Sequence, residues 1–406
     1  MSEVANRPKC LDVARWRAPS KDELIAFMTK ERSTDPTRVD RKGALLGVRK
    51  HLTQIDVYCY LKARFGNPNG FQNWLRRDDS DNLIHWDFNI RAEGVDVYFC
   101  APSREVHIMV SEPMSAVDWR DLILAIKADF SRVGQEKSKV LKSLEKWVVF
   151  SNKFCEVADL CAEHRETILE NAGGLNVSLP AGNNKEGLNA HYKALEEMGK
   201  RASKLQASCL ELSLLAPVFA ESFLNMLILI LCKREVRDNT RQFGAFIRSD
   251  IDAKIFDIPY KCEGFTHKID PTWESYKKFK RVFDQRNNLI HGNVDPEREH
   301  LEVVFFEGKR PIFAQPGDHI ATFFDRLQRQ LNPEQVVQSY EDTYNFLLDL
   351  VNCLEPEVRE MFWQVMNDPY PGFDVNRRKT GKLFPDFIVQ GYMEGTTYDD
   401  ELQVDW

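Results

Sequence analysis

The run Asp284-Gln285-Arg286-Asn287-Asn288-Leu289-Ile290-His291-Gly292-Asn293 places an arginine, two adjacent carboxamides and a histidine within six positions. A guanidinium is a planar fork of donors that matches a phosphate whose charge grows during reaction. An imidazole titrates at about pH 6.5, so it can accept or donate a proton near neutrality. Upstream, Tyr276, Phe279, Phe283 and Ile290 recur at near-helical spacing, which predicts a helix over 272–291 with that stripe turned inward. Gly292 suits a left-handed helix stop and Asp295-Pro296 forbids continuation, so His291 falls in the last turn.

Around this run lie supporting candidates. Asp284 and Asn288 flank the central pair, and Lys277, Lys278, Lys280 and Arg281 precede it as candidate nucleic-acid contacts. Glu221 sits in a nearly apolar segment, where a carboxylate either needs a partner, Arg286 being one, or faces the surface.

These residues need elements to hold them. Before the motif, helices are predicted at 187–206, 210–233 and 240–256; after it come a hairpin built from Leu301–Phe305 and Pro311–Ala314 and helices at 333–353 and 356–366. The pattern is that of a helical bundle over 184–366 with an inserted β-hairpin, its most buried member near 223–232. Ahead of it, residues 1–130 predict a small α+β domain. Helices are expected at 21–32 and 39–65, then alternation of Trp86, Phe88 and Ile90, of Val95, Val97 and Phe99, and of Val106, Ile108 and Val110 gives an antiparallel meander, followed by a helix over 116–130. Residues 131–183 read as a long helix, nearly unbroken from 135 to 169, and a linker; 367–406 read as a tail lying along a surface. The fold class expected is mainly α.

Composition narrows the function. With 43% hydrophobic and 29% charged residues the chain can bury sizeable cores, and a net charge of −7 means that attraction to nucleic acid must come from local patches. Nine cysteines without a C-x-x-C pair suggest a reducing compartment. The first twenty residues lack the apolar core of a signal peptide, and Phe223–Cys232 is short for a bilayer span, so the expectation is a cytoplasmic protein with no membrane partner. His85, Asp87, Asp96, Glu105 and His107 lie on the meander strands like the acidic strands of metal-dependent nucleases, but Glu-x-Lys is missing and alternation explains them as the polar face of a half-exposed sheet. No metal and no cofactor are expected. P-loop, dinucleotide-binding, zincin and hydrolase-elbow motifs are absent.

Arg286, Asn287 and His291 resemble the signature of the higher eukaryotes and prokaryotes nucleotide-binding (HEPN) superfamily, in which an arginine, often followed by asparagine, precedes a histidine by a few residues. The resemblance covers about residues 187–291. It implies metal-independent RNA cleavage by attack of the 2′-hydroxyl on the adjacent phosphate, leaving a 2′,3′-cyclic phosphate. It assigns proton transfer to His291, phosphate stabilisation to Arg286, and to Asn287 either orientation of the phosphate or support of the ring. Residues five apart on a helix point about 140° away from each other. A homodimer through the motif helix would let Arg286 of one copy meet His291 of the other. The resemblance further implies a toxin or anti-phage defence effector, with residues 1–130 taking a regulatory ligand or protein. A non-catalytic dimerisation or ligand-binding scaffold is the alternative.

Overall fold

The structure is a computed structural model, and it describes residues 7–29, 43–77, 82–102, 104–173, 175, 185–291, 296, 302–314, 318–384 and 396–406. The chain is mainly α. It divides into two compact units, one of residues 1–146 with 383–406 and one of residues 147–382.

The first unit contains α1 (Lys21–Thr29), β1 (Ala44–Val48), α2 (Gln54–Phe65), α3 (Gln72–Leu75), β2 (Ile84–Ala92), β3 (Val95–Pro102), β4 (Val106–Val110), α4 (Ala116–Asp129) and α5 (Gly134–Ser143). The alternation over 84–110 is the meander β2-β3-β4, and its first turn uses Glu93 and Gly94, both at positive φ, as a tight hairpin turn requires. β1 extends the sheet antiparallel to β4, and the C-terminal strand Thr397–Tyr398 adds parallel to β1. One sheet face, with Leu46, Phe88, Val97, Phe99 and Ile108, packs on Val57 and Leu61 of α2 and Leu122 and Ile126 of α4.

The predicted helix over 39–65 is therefore corrected: 44–48 is a strand, and α2 begins at Gln54, where the Thr53 hydroxyl caps Asp56 N. Ala-Leu-Leu-Gly-Val is apolar on both faces, so its period cannot separate strand from helix. What decides is pairing: Leu46 and Val48 enter the core, while Gly47 lies so close to the Tyr398 ring that a Cβ there would stand 2.7 Å from it.

In the second unit, β5 (Trp147–Val149) and α6 (Lys153–Ala172) replace the expected unbroken helix. The β-branched pair Val148-Val149 is drawn into a three-stranded sheet with strands Gly372–Asp374 and Lys379–Gly381. The two helices predicted over 187–206 and 210–233 form one helix, α7 (Lys185–Leu231), 47 residues long and running through Pro217. α8 (Arg234–Asp238), α9 (Thr240–Ile247), α10 (Ile251–Lys261) and α11 (Glu274–His291) follow, then the hairpin β6 (Val304–Glu307) and β7 (Arg310–Phe313). α12 (His319–Leu331), unforeseen from the sequence, leads into α13 (Pro333–Asn352), α14 (Pro356–Met366), β8 (Gly372–Asp374) and β9 (Lys379–Gly381). α7 is the hub: Phe219, Phe223, Leu224 and Leu227 share a core with Phe279 of α11, Phe346 and Leu350 of α13 and Phe362 of α14.

α7 is long and apolar enough to cross a bilayer by length and composition alone, and 61% of its apolar stretch is buried, as in a core helix. The division of 131–183 also differs from the expected linker: α5 belongs to the first unit, with Lys137 bonded to Asp56 at 2.7 Å, and α6 packs along α7. The tail over 367–406 supplies strands to both sheets rather than lying on a surface. All nine cysteines are free.

Candidate functional site

α11 owes its position to its apolar face. Tyr276, Phe279 and Val282 are buried and Phe283 half-buried, with the Phe279 ring stacked 4.5 Å from Phe346 of α13. One turn later the same face carries Gln285, Arg286 and Leu289, and there the helix draws apart from its neighbours. The gap is a cleft of about 240 Å³. Its other walls are Leu212, Ser213 and Ala216 of α7 and the α12-α13 junction from Leu331 to Ser339.

Two backbone features shape this cleft. Pro217 has no N–H, so the carbonyl of Ser213 four residues earlier lacks its helical donor. Asn332 adopts the left-handed conformation, φ 42°, and Pro333 starts α13 at once, which turns the chain sharply at the rim. The lining is apolar carbon interrupted by hydroxyls and carboxamides: Ser213, Ser339, Gln285, Asn332 and Gln335. Gln285 and Ser339 face each other across it at 3.4 Å.

Arg286 is the sole charged side chain in that lining. It is half-buried, its Nη1 donates to the neighbouring Asn287 Oδ1 at 3.4 Å, and its Nε is shielded from solvent without a hydrogen-bond partner. Among the described residues no carboxylate pairs with it. An unneutralised guanidinium among neutral donors favours an anionic ligand.

The other predicted site residues fare differently. Asp284 and Asn287 are exposed beside the cleft. His291 is the last residue of α11, but its side chain, that of Asn288, that of Ile290 in the predicted stripe, and residues Gly292 to Asp295 lie outside the described residues. α11 runs unbroken from Arg286 to His291, so the two positions keep their separation of about 140°. Glu221 is exposed and does not reach Arg286; it pairs with Lys254 of α10 at 3.4 Å. Lys254 is itself fully buried, donates to Asn225 Oδ1 at 2.8 Å, and burial pulls its ammonium below the ordinary value, with Glu221 opposing.

The four basic residues expected to contact nucleic acid each have a carboxylate within ion-pair distance. Lys277 and Arg281 pair with Glu274 at 3.9 and 3.4 Å, Lys278 with Asp342 at 3.6 Å, and Lys280 with Asp252. Four cations share three carboxylates, so the cluster keeps an excess of one positive charge, with every member already engaged by a carboxylate.

The polar residues of the meander are also corrected, for Asp87 and His107 are buried rather than on a half-exposed face. Asp87 accepts from Gln72 N at 2.8 Å, Asn73 N at 3.2 Å and Tyr98 Oη at 2.9 Å, under a loop so close that a Cβ on Gly70 would overlap the carboxylate. His107 contacts Glu105 at 3.0 Å through Nε2, and Asp96 bonds Arg91. Among the described residues no group of three or more metal-ligating side chains is found.

Sequence reasoning missed the far wall of the cleft. Asn332-Pro333 is a turn signal legible in the sequence, but nothing in the order of residues brings Ser213 or Ser339 to Arg286. Compared with known proteins, the chain matches no family model, no curated protein sequence and no solved structure.

Proposed function

We propose that the chain is a metal-independent RNA endonuclease of HEPN type, in which Arg286 binds the scissile phosphate. One observation carries the reading: in a chain of net charge −7 whose neighbouring cations on α11 are all paired, Arg286 alone of them borders an open cleft with an unsatisfied Nε and no carboxylate. In this reading His291 takes the 2′-hydroxyl proton or protonates the leaving 5′-oxygen, Arg286 stabilises the charge that grows on the phosphate, and Asn287 orients it. The 140° separation makes the active unit a homodimer, with His291 supplied to Arg286 from a second copy. A cytoplasmic toxin or defence effector restrained through its first unit is the setting such a nuclease requires.

The second reading is a non-catalytic ligand-binding or dimerisation scaffold, and the engagement of all four basic residues before the motif in local ion pairs favours it. Incubation of the purified chain with total RNA in EDTA, followed by end-group analysis, separates the two. Cleavage to cyclic phosphate ends, reduced about 100-fold or more in Arg286→Ala and His291→Ala, is expected for the nuclease. No cutting by wild type leaves the scaffold, and equal cutting by all three proteins places the activity outside Arg286 and His291.

A further inference from the structure

Two helices of the second unit stop at a cysteine. Cys232 follows Leu231 at the end of α7 and Cys262 follows Lys261 at the end of α10, thirty positions apart in sequence. Just past these helix ends the chain forms a short antiparallel ladder, in which Lys233 N donates to Lys261 O at 2.9 Å and Glu263 N to Leu231 O at 2.8 Å. The two bonds flank the cysteines, so Cys232 and Cys262 are the directly opposed, non-hydrogen-bonded pair of that ladder. The register is held from the far side as well, because Glu355 N donates to Gly264 O and Thr266 N to Cys353 O, both at 2.8 Å.

Residues opposed in this way turn their side chains to the same side of the ladder, with Cα atoms about 4.5 Å apart. A disulfide joins residues whose Cα atoms lie about 4.4–6.8 Å apart. Both thiols are free and both residues are buried. Their sulfurs are electrostatic neighbours: burial pushes the Cys262 thiol well above its ordinary value, and Cys232 pushes it further. Among the described cysteines no other pair is set face to face by a ladder, for Cys100, which also lies on a strand, stands opposite Asp87 and His107.

We infer that Cys232 and Cys262 are a reversible disulfide site, oxidised by a low-molecular-weight disulfide of the glutathione type, whose closure staples the end of α7 to the end of α10. Cys232 attacks first, since its thiol, pushed up to about 11 by burial, is pulled back by the buried Arg237 guanidinium. Its thiolate bonds to one sulfur of the reagent, and the other sulfur leaves as a thiolate. Cys262 then gives its proton to solvent and attacks the Cys232 sulfur, expelling the second reagent thiolate. Two protein thiols lose two electrons and two protons, and the reagent gains them as two thiols. In a reducing compartment the pair stays open, and a rise in the oxidised fraction of the thiol pool closes it. Because both thiols are buried and held in the protonated form, reaction waits on local opening of the ladder. The site is thus a slow lock on α8, α9 and α10, the segment that the bond encloses, rather than a fast peroxide sensor.

This inference does not rest on RNA cleavage. Its test is incubation of the full chain with oxidised glutathione, in urea low enough to leave the fold intact while speeding local opening, followed by acid quench, alkylation and tryptic mass spectrometry. Lys233 and Lys261 put the two cysteines on separate peptides, one of them 262–268, so the bond reads as a joined pair lighter by two hydrogens. The expected result is Cys232 to Cys262 as the dominant linkage, with a rise in melting temperature of roughly 5–15 °C that dithiothreitol reverses. Cys232→Ala and Cys262→Ala should each abolish both the linkage and the rise. Each protein is compared with its own reduced form, so a variant's intrinsic loss of stability is separated from loss of the bond. Glutathione adducts that stop at either cysteine, linkage scattered among the nine cysteines, no linkage at all, or a bond that lowers the melting temperature would overturn the assignment.

Discussion

The sheet of the first unit and the cleft of the second both set polar side chains into apolar surroundings and each leaves a nitrogen unpaired, His107 Nδ1 and Arg286 Nε, but His107 is closed off while Arg286 lines an open cleft. Across the sheet, Asp87, Cys100, His107 and Gly47 stand in register on four strands, and Asp87 spends both oxygens on three donors beneath a closing loop. Burial still pushes that carboxyl above its usual range, against the pull of those donors. In the cleft, Arg286 keeps a donor unspent beside open space. A row of titratable residues is thus the more conspicuous pattern in sequence and the less informative one; a charged side chain without an opposite charge, lining a cavity, is the better mark of a site.

The sharpest way to break this comparison is to remove one member of each cluster. Asp87→Ala leaves two backbone N–H groups and the Tyr98 hydroxyl without an acceptor, which costs about 3 kcal/mol. Arg286→Met takes a charge from a half-open rim and should change stability by less than about 1 kcal/mol. Urea unfolding of both variants measures the pair. If Arg286→Met proves the costlier, its guanidinium is a structural clamp and the cleft loses its claim as a site.

A smaller effect tests how tightly the sheet is closed. Gly47→Ala forces a methyl to 2.7 Å from the Tyr398 ring, so either the C-terminal strand shifts or the ring turns, at about 1–3 kcal/mol. Ser339→Ala at the cleft wall should cost under about 1 kcal/mol, because its hydroxyl bonds only its own helix carbonyl closely, at 2.8 Å. Thermal melts of the two decide whether one region is closed and the other open.

Gly47 also shows where sequence reading stops. The meander and α14 follow from periodicity and turn residues, because each is specified by its own stretch of chain. β1 does not, since its strand state depends on pairing along its whole length with β4 and, at Leu46 and Gly47, with Thr397–Tyr398 about 350 positions away. The join of two predicted helices into α7 escaped for a related reason: its polar and apolar halves face different surroundings, so the pattern changes while the helix continues. In the site, Arg286, Asn287 and the course of α11 were legible. The pairing of Glu221 with Lys254 instead of Arg286, and the engagement of four cations by Glu274, Asp342 and Asp252, were not, because partners are chosen by helix packing in three dimensions.

Lys254 supplies the finest test, since it is a cation in the same unit as Arg286 but fully buried and provided with partners. Burial lowers its folded-state pKa below the ordinary 10.5, against the attraction of Glu221. The unfolded chain therefore holds this proton more tightly, and a penalty is fully present at pH values below the lowered pKa. Stability should rise as pH climbs from that value toward 10.5. Lys254→Met removes the penalty while filling the space, and Glu221, being exposed, remains solvated without its partner. The variant is expected to lie within about 1 kcal/mol of wild type at neutral pH, on the stable side, and to lose the alkaline rise in melting temperature that wild type shows. A loss of more than about 2 kcal/mol at neutral pH would mean that the bond to Asn225 outweighs desolvation. In that case a satisfied buried cation would be a structural asset here, and the absence of such a partner at Arg286 would weigh still more heavily toward a ligand.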